Sequence, residues 1–172
     1  MPNTKSVGVA FSDPELTSGT TITGAIIDST SKVLSNIANG LTASQQGATI
    51  TTTGNSDVFI IAPAAGVLTS AVFSGVDALA ASDTNFITFS VTNLGTTGSG
   101  SAVMLAATDA NTTKTTGGTA LTANAARTLA INGTAANLVV AAGDRLRIRA
   151  AATGTLANTV TFPVYRLNFS VA

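Results

Sequence analysis

The sequence predicts an all-β protein: an antiparallel jelly-roll sandwich of about eight strands with an extended N-terminal arm. Three observations predict it. Of the 172 residues 45% are apolar and only 9% charged, too few charges for the exposed faces of soluble helices, while the abundant threonine suits the outer faces of sheets. From Ala48 onward, short β-type runs alternate with turn residues at fairly regular spacing, as in a sandwich or barrel. The mixture of short and long connections between these runs favours a double-sheet jelly roll over an up-and-down barrel.

The elements follow in chain order. Residues 1–47 are broken by Pro2, Pro14, Gly19, Gly24, Gly40 and Gly47 and show no long alternation, so they read as an arm preceding a jelly-roll domain at 48–172. Within the arm, DSTSKVLSNIANG has apolar residues at helical spacing, a choice of cap at Asp28, Ser29 or Thr30, and Gly40 as terminator, which allows a short helix near 29–39. The alternative is an extended segment, GAIIDS, that lays Ile26 and Ile27 along another surface.

Nine β-type runs come next, at 48–53, 57–62, 67–76, 85–93, 102–108, 127–132, 137–142, 145–152 and 159–171. The last two are the best patterned. In RLRIRA the arginines Arg145, Arg147 and Arg149 share one face, and Leu146, Ile148 and Ala150 the other, as a period of two requires. In TVTFPVYRLNFSV, Val160, Phe162 and Val164 are in phase, after which Tyr165, Leu167, Phe169 and Val171 take the opposite phase. That switch beside Pro163 predicts a bulge, or a strand whose halves bury opposite faces and which enters a subunit contact through Tyr165 and Arg166. The stretches 95–101 and 111–119 have no apolar anchors and read as exposed tips or disordered connections.

Several chemistries are excluded by composition. Histidine and cysteine are absent, which removes Ser-His-Asp and Cys-His catalysis, imidazole and thiolate metal sites, and disulfides. Paired-carboxylate hydrolysis would need two aspartates brought together from loops such as those of Asp77, Asp83 and Asp109. The segment DANTTKTTGGTA has Asp109 and Asn111 at calcium-loop spacing, but Ala120 stands where a bidentate carboxylate is required. The glycine-rich stretches lack the Lys-Ser/Thr pair and following helix of a phosphate loop. Asp144, after Gly143, reads as a turn residue accepting backbone N–H bonds. No cofactor and no metal is expected, and the chain is read as a non-enzyme.

The formal net charge is zero, so no global field steers the protein to nucleic acid. The opening residues carry too short an apolar run for a signal-peptide core, and no stretch reaches the length of a membrane span. The expectation is a product of the cytoplasm with no membrane and no direct nucleic-acid partner. For the row Arg145, Arg147 and Arg149 two readings stand first: a solvated sheet face that discourages edge-to-edge aggregation, or a contact with carboxylates of another subunit. Nucleic acid ranks last because no aromatic residues interleave with the arginines.

VFIIAPAAGVLTSAVFSGVDA, NFITFSVTNLGTTGSGS, AGDRLRIRAAATGTL and TVTFPVYRLNFSVA, in that order behind a polar arm, resemble the jelly-roll decoration (cement) proteins on the heads of tailed bacteriophages. The resemblance covers about 57–172. It implies a non-enzymatic virion protein made in the host cytoplasm, a homotrimer on the outer surface of an icosahedral head, tying subunits of the major capsid protein together. Arg145, Arg147, Arg149, Tyr165, Arg166, Ile26 and Ile27 are then the candidate contact residues. The alternative is a receptor- or glycan-binding head domain of a phage fibre.

Overall fold

Alternation in the sequence becomes alternation in burial. In the computed structural model the described residues run from Gly40 to Val171, with side chains described through Ser170. Ile26, Ile27 and the helix expected near 29–39 lie outside them. Nine strands are formed: β1 (Leu41–Gln46), β2 (Asn55–Ile61), β3 (Gly66–Ser74), β4 (Phe86–Asn93), β5 (Ala102–Val103), β6 (Arg127–Leu129), β7 (Val139–Val140), β8 (Arg145–Thr153) and β9 (Val164–Val171).

Every strand pairing is antiparallel. One sheet has the order β1-β9-β3-β6, with β7 also on β3, and the other has the order β2-β8-β4-β5. Strands β1 to β4 alternate between the sheets, and β8 and β9 insert between them, β9 between β1 and β3 and β8 between β2 and β4. That interleaving of two Greek keys is the jelly-roll topology. Leu41–Gln46, within the segment read as arm, pairs with β9 along its whole length, so the first sheet starts one strand before the boundary at residue 47.

The core lies between the sheets. From one side come Leu68, Phe73, Tyr165, Leu167 and Phe169, and from the other Val58, Ile60, Ile87, Phe89, Val91, Leu146 and Ile148. Phe73 meets Phe89 across the gap with ring centroids 4.7 Å apart and a tilted geometry, one of the arrangements that aromatic quadrupoles favour. In β3 the register slips between Leu68 and Ser70. The extra residue at this bulge keeps both Gly66–Leu68 and Ala71–Phe73 in phase with the core.

Six expected elements are corrected. The run at 48–53 is not a strand, and only Ile50 makes a bridge, to Val160. The runs near 102, 127 and 137 shrink to two or three residues. Met104 and Leu105 are buried in succession, which a period of two forbids, so the chain turns a corner there. The final run is not one strand. Phe162 adopts φ 48 and is 62% exposed, and the chain bends at Thr161–Phe162 so that β9 starts after Pro163. Finally, the stretch 111–119 is not an exposed tip throughout. Asn111, Thr112 and Thr113 are buried, anchored by hydrogen bonds in place of apolar contacts. The Thr113 N–H donates to Ile87 O, and the Ile87 N–H donates to Thr113 Oγ1. Gly118 permits the tight return, since a Cβ there would lie 2.6 Å from backbone atoms of Thr112 and Lys114. The stretch 95–101 is largely exposed, as expected.

Candidate protein-protein interface

The arginine row is set by β8, whose alternation turns Leu146, Ile148 and Ala150 into the core and Arg145, Arg147 and Arg149 outward. The turn before it is held by a buried polar cluster. Gly143 takes φ 85, and Asp144 Oδ2 accepts the Ala141 N–H and the Asn93 side-chain amide, both at 2.8 Å. Asp144 is therefore the turn residue that the sequence indicates, and its carboxylate fixes where the row starts.

Opposite the row, on the outward face of β2, stand Ile61, Phe59 and Asp57, in register with Arg145, Arg147 and Arg149 respectively. On the other flank β4 presents Thr92 and Ser90 beside Arg147 and Arg149, and Val103 of β5 lies beside Thr92. Phe59, Ile61 and Val103 are 46%, 55% and 40% exposed. This face therefore mixes guanidinium groups with uncovered apolar side chains, the combination enriched where proteins meet.

The three arginines are not equivalent. Arg149 grips Asp57 in a fork, with Nε on Oδ1 and Nη2 on Oδ2, both at 2.7 Å. The hydrogen bonds from Arg149 hold the Asp57 carboxyl below its ordinary pKa, and the same bonds raise that of Arg149. Arg145 places its guanidinium carbon 5.6 Å from the Phe59 ring centroid, within cation–π range. Arg147 lies half-buried, with Nε shielded from solvent and without a hydrogen-bond partner among the described residues. Neither Arg145 nor Arg147 has an anionic partner among those residues.

Beyond β4 the face continues into a cleft of about 430 Å3, bordered by Phe86, Thr88, Ser90, Val103, Ala107 and Lys114 among others. Lys114 closes one end, bonded to Asp109 at 2.8 Å and 4.9 Å from the centre of the Phe86 ring.

Two other candidates, Tyr165 and Arg166, do not join this face. Tyr165, expected at a contact, is instead in the core, 1% exposed and 5.4 Å from Phe73 between ring centroids. Its phase, shared with Leu167 and Phe169, points it inward, and burial raises the pKa of its hydroxyl. Arg166 is exposed on the outer face of the opposite sheet, in register with Ser44 and Val72, and so belongs to a different surface.

Phe59 and Ile61 are not among the residues that the sequence singles out. The signal was present: in DVFIIA they alternate in phase with Asp57. Arg127 was also missed. It donates to the carbonyls of Ala110, Thr112 and Thr119 and lies 5.4 Å from the Phe89 ring centroid. Desolvation lowers its pKa, and its role is to tie the 110–119 loop to the sandwich end.

Carboxylates elsewhere serve loops. Asp77 accepts the Thr161 N–H and hydroxyl, and Asp83 accepts those of Thr116. These bonds hold both below the ordinary aspartate pKa. Asn111, proposed at calcium-loop spacing, spends its side chain on the backbone of Ala106 and Ala130. Among the described residues no group of three or more acidic side chains is placed to hold a metal ion.

No family model, curated protein or solved structure matches this chain.

Proposed function

We propose that this protein is a structural virion component: a decoration (cement) protein that seats as a homotrimer on the outer surface of an icosahedral phage head and ties subunits of the major capsid protein together. The observation that carries the reading is the outer face of the β2-β8-β4-β5 sheet, where Arg145 and Arg147 lie beside exposed Phe59 and Ile61 with no anionic partner among the described residues. The jelly roll supplies the rigid scaffold, and the resemblance in segment order supplies the phage context. A contact of standard size hides about 800 Å² per partner, which a four-stranded face with its flanking loops can provide. A trimer engages several shell sites together, so modest single contacts become strong through effective concentration.

The test is co-sedimentation of the purified protein with phage shells stripped of it. The full chain is expected to pellet with shells, and replacement of Arg145, Arg147 and Arg149 by serine to abolish this. Undiminished pelleting of the triple variant would return the row to a solvated face. A second reading, the glycan-binding head of a fibre, is favoured by the cleft of about 430 Å3 with its hydroxyl-bearing wall of Thr88 and Ser90. A glycan array separates the two, because a cement protein gives no saccharide signal.

A further inference from the structure

We infer that the free edge of β2 accepts an extended segment of the partner protein, with carboxylates at alternate positions, as a fifth strand of the β2-β8-β4-β5 sheet. This rests on the docking reading above and specifies the chemistry of the partner.

The ladder fixes which backbone groups of β2 are free. The Ala62 N–H donates to Asp144 O, the Gly143 N–H to Ala62 O, and the Ala152 N–H to Gly54 O, at 2.8–2.9 Å. In an antiparallel pair such bonds fall on every second residue, so Ser56, Val58 and Ile60 also face β8. Asp57, Phe59 and Ile61 therefore direct their N–H and C=O groups away from the sheet. β2 is the terminal strand of its sheet, and among the described residues nothing bonds to those groups. An edge of this kind is a template for strand addition.

The side chains choose what is added. The residues with free backbone groups are also those on the arginine face. The one carboxylate of β2, Asp57, is already taken by Arg149. Arg145 and Arg147 remain without an anion among the described residues, and Arg145 already leans over Phe59 toward the open edge. They are two residues apart, about 7 Å along a strand. That is the spacing of carboxylates at positions i and i+2 of an added strand. Phosphate groups could satisfy the charges but leave the free N–H and C=O row of β2 unused, so a peptide is the occupant that satisfies both features.

The test uses the full chain and a peptide of about eight residues alternating Glu with Thr, followed by amide chemical shifts and fluorescence anisotropy. The inference expects saturable shifts at Asp57, Phe59 and Ile61. It also expects affinity to weaken about tenfold or more when Gln replaces Glu in the peptide, or when the protein carries Arg145→Gln and Arg147→Gln. N-methylation of alternate peptide amides should abolish the shifts. No shifts at β2, equal binding of the Glu and Gln peptides, equal binding of the N-methylated peptide, or tighter binding of an oligonucleotide would each overturn it. If shell binding is lost in the arginine variant while the peptide fails, the docking reading survives and the added strand does not. If the peptide binds but shells do not, the edge is a peptide site and the capsid reading fails.

Discussion

The outer face of the β1-β9-β3-β6 sheet and the outer face of the β2-β8-β4-β5 sheet solve the same problem in opposite ways. On the first, Thr42, Thr69 and Ser70 are knit together through Asn168, with Arg166 and Val139 exposed around them. Thr42 donates to the Asn168 side-chain oxygen, the Asn168 amide donates to Ser70, and Thr69 donates to the Asn168 carbonyl. On the second, the Arg149–Asp57 pair is closed, and Arg145 and Arg147 stand beside it with no anionic partner among the described residues, next to exposed Phe59 and Ile61. Both faces come from period-two strands over one core. Burial fixes the inward residues and leaves the outward ones free to differ, so one face is knit around Asn168 while the other leaves two of its three arginines without an anion among the described residues.

Perturbations separate the two faces, and the largest effect is expected on binding. Arg145→Gln with Arg147→Gln should cost about 10- to 100-fold in shell affinity, or about 1.4–2.7 kcal/mol. Thermal stability should move by less than about 0.5 kcal/mol, measured by co-sedimentation and melting side by side. Asp144→Ala comes next. It leaves the buried Asn93 amide and the Ala141 N–H of the exposed turn above it without their carboxylate partner, and denaturant unfolding should show a loss of about 1–3 kcal/mol.

Asn168→Ala removes the hub of the closed face and should lower stability by about 1 kcal/mol, leaving shell affinity unchanged. A loss of affinity would mean that this face docks as well.

Smaller effects come from protons. The Tyr165 hydroxyl is buried without a hydrogen-bond partner among the described residues, and its pKa is raised in the fold. The folded state therefore resists ionisation that the unfolded chain undergoes, and stability falls as pH climbs above about 10. Tyr165→Phe should flatten that alkaline loss and change stability at neutral pH by less than about 1 kcal/mol, in the stabilising direction. The Asp57 pKa is lowered from 3.8, chiefly by the Arg149 hydrogen bond. Its contribution is complete above that pH and disappears as pH falls through the lower folded value. For a pair about one-third exposed, that is under about 1 kcal/mol, so an acid titration of the Asp57→Asn variant should differ from the parent by no more than this.

Much of the fold was legible in the sequence because strands with one buried face advertise it. β4, β8 and β9 alternate over most of their length and β2 is a short apolar run after Asp57, and all four formed. Two of the misses share a cause: where the chain is held by hydrogen bonds, apolar periodicity has nothing to report. Thr113 is buried by bonds to Ile87 of β4 and Thr112 by bonds to Asp109, and the stretch around them reads as loop. The bend at Phe162 depends on the Asp77 carboxylate holding Thr161 from 84 residues away, which no local pattern contains. The arginine row was legible as a row. That Arg149 would be paired and the other two left open required the register of β2 against β8.

Hydrogen exchange of the free and shell-bound protein tests the central claim most directly. The account predicts that binding protects the amides of Asp57, Phe59 and Ile61, with no change in Leu41–Gln46 at the opposite sheet. Protection of Leu41–Gln46 with β2 unchanged would contradict it.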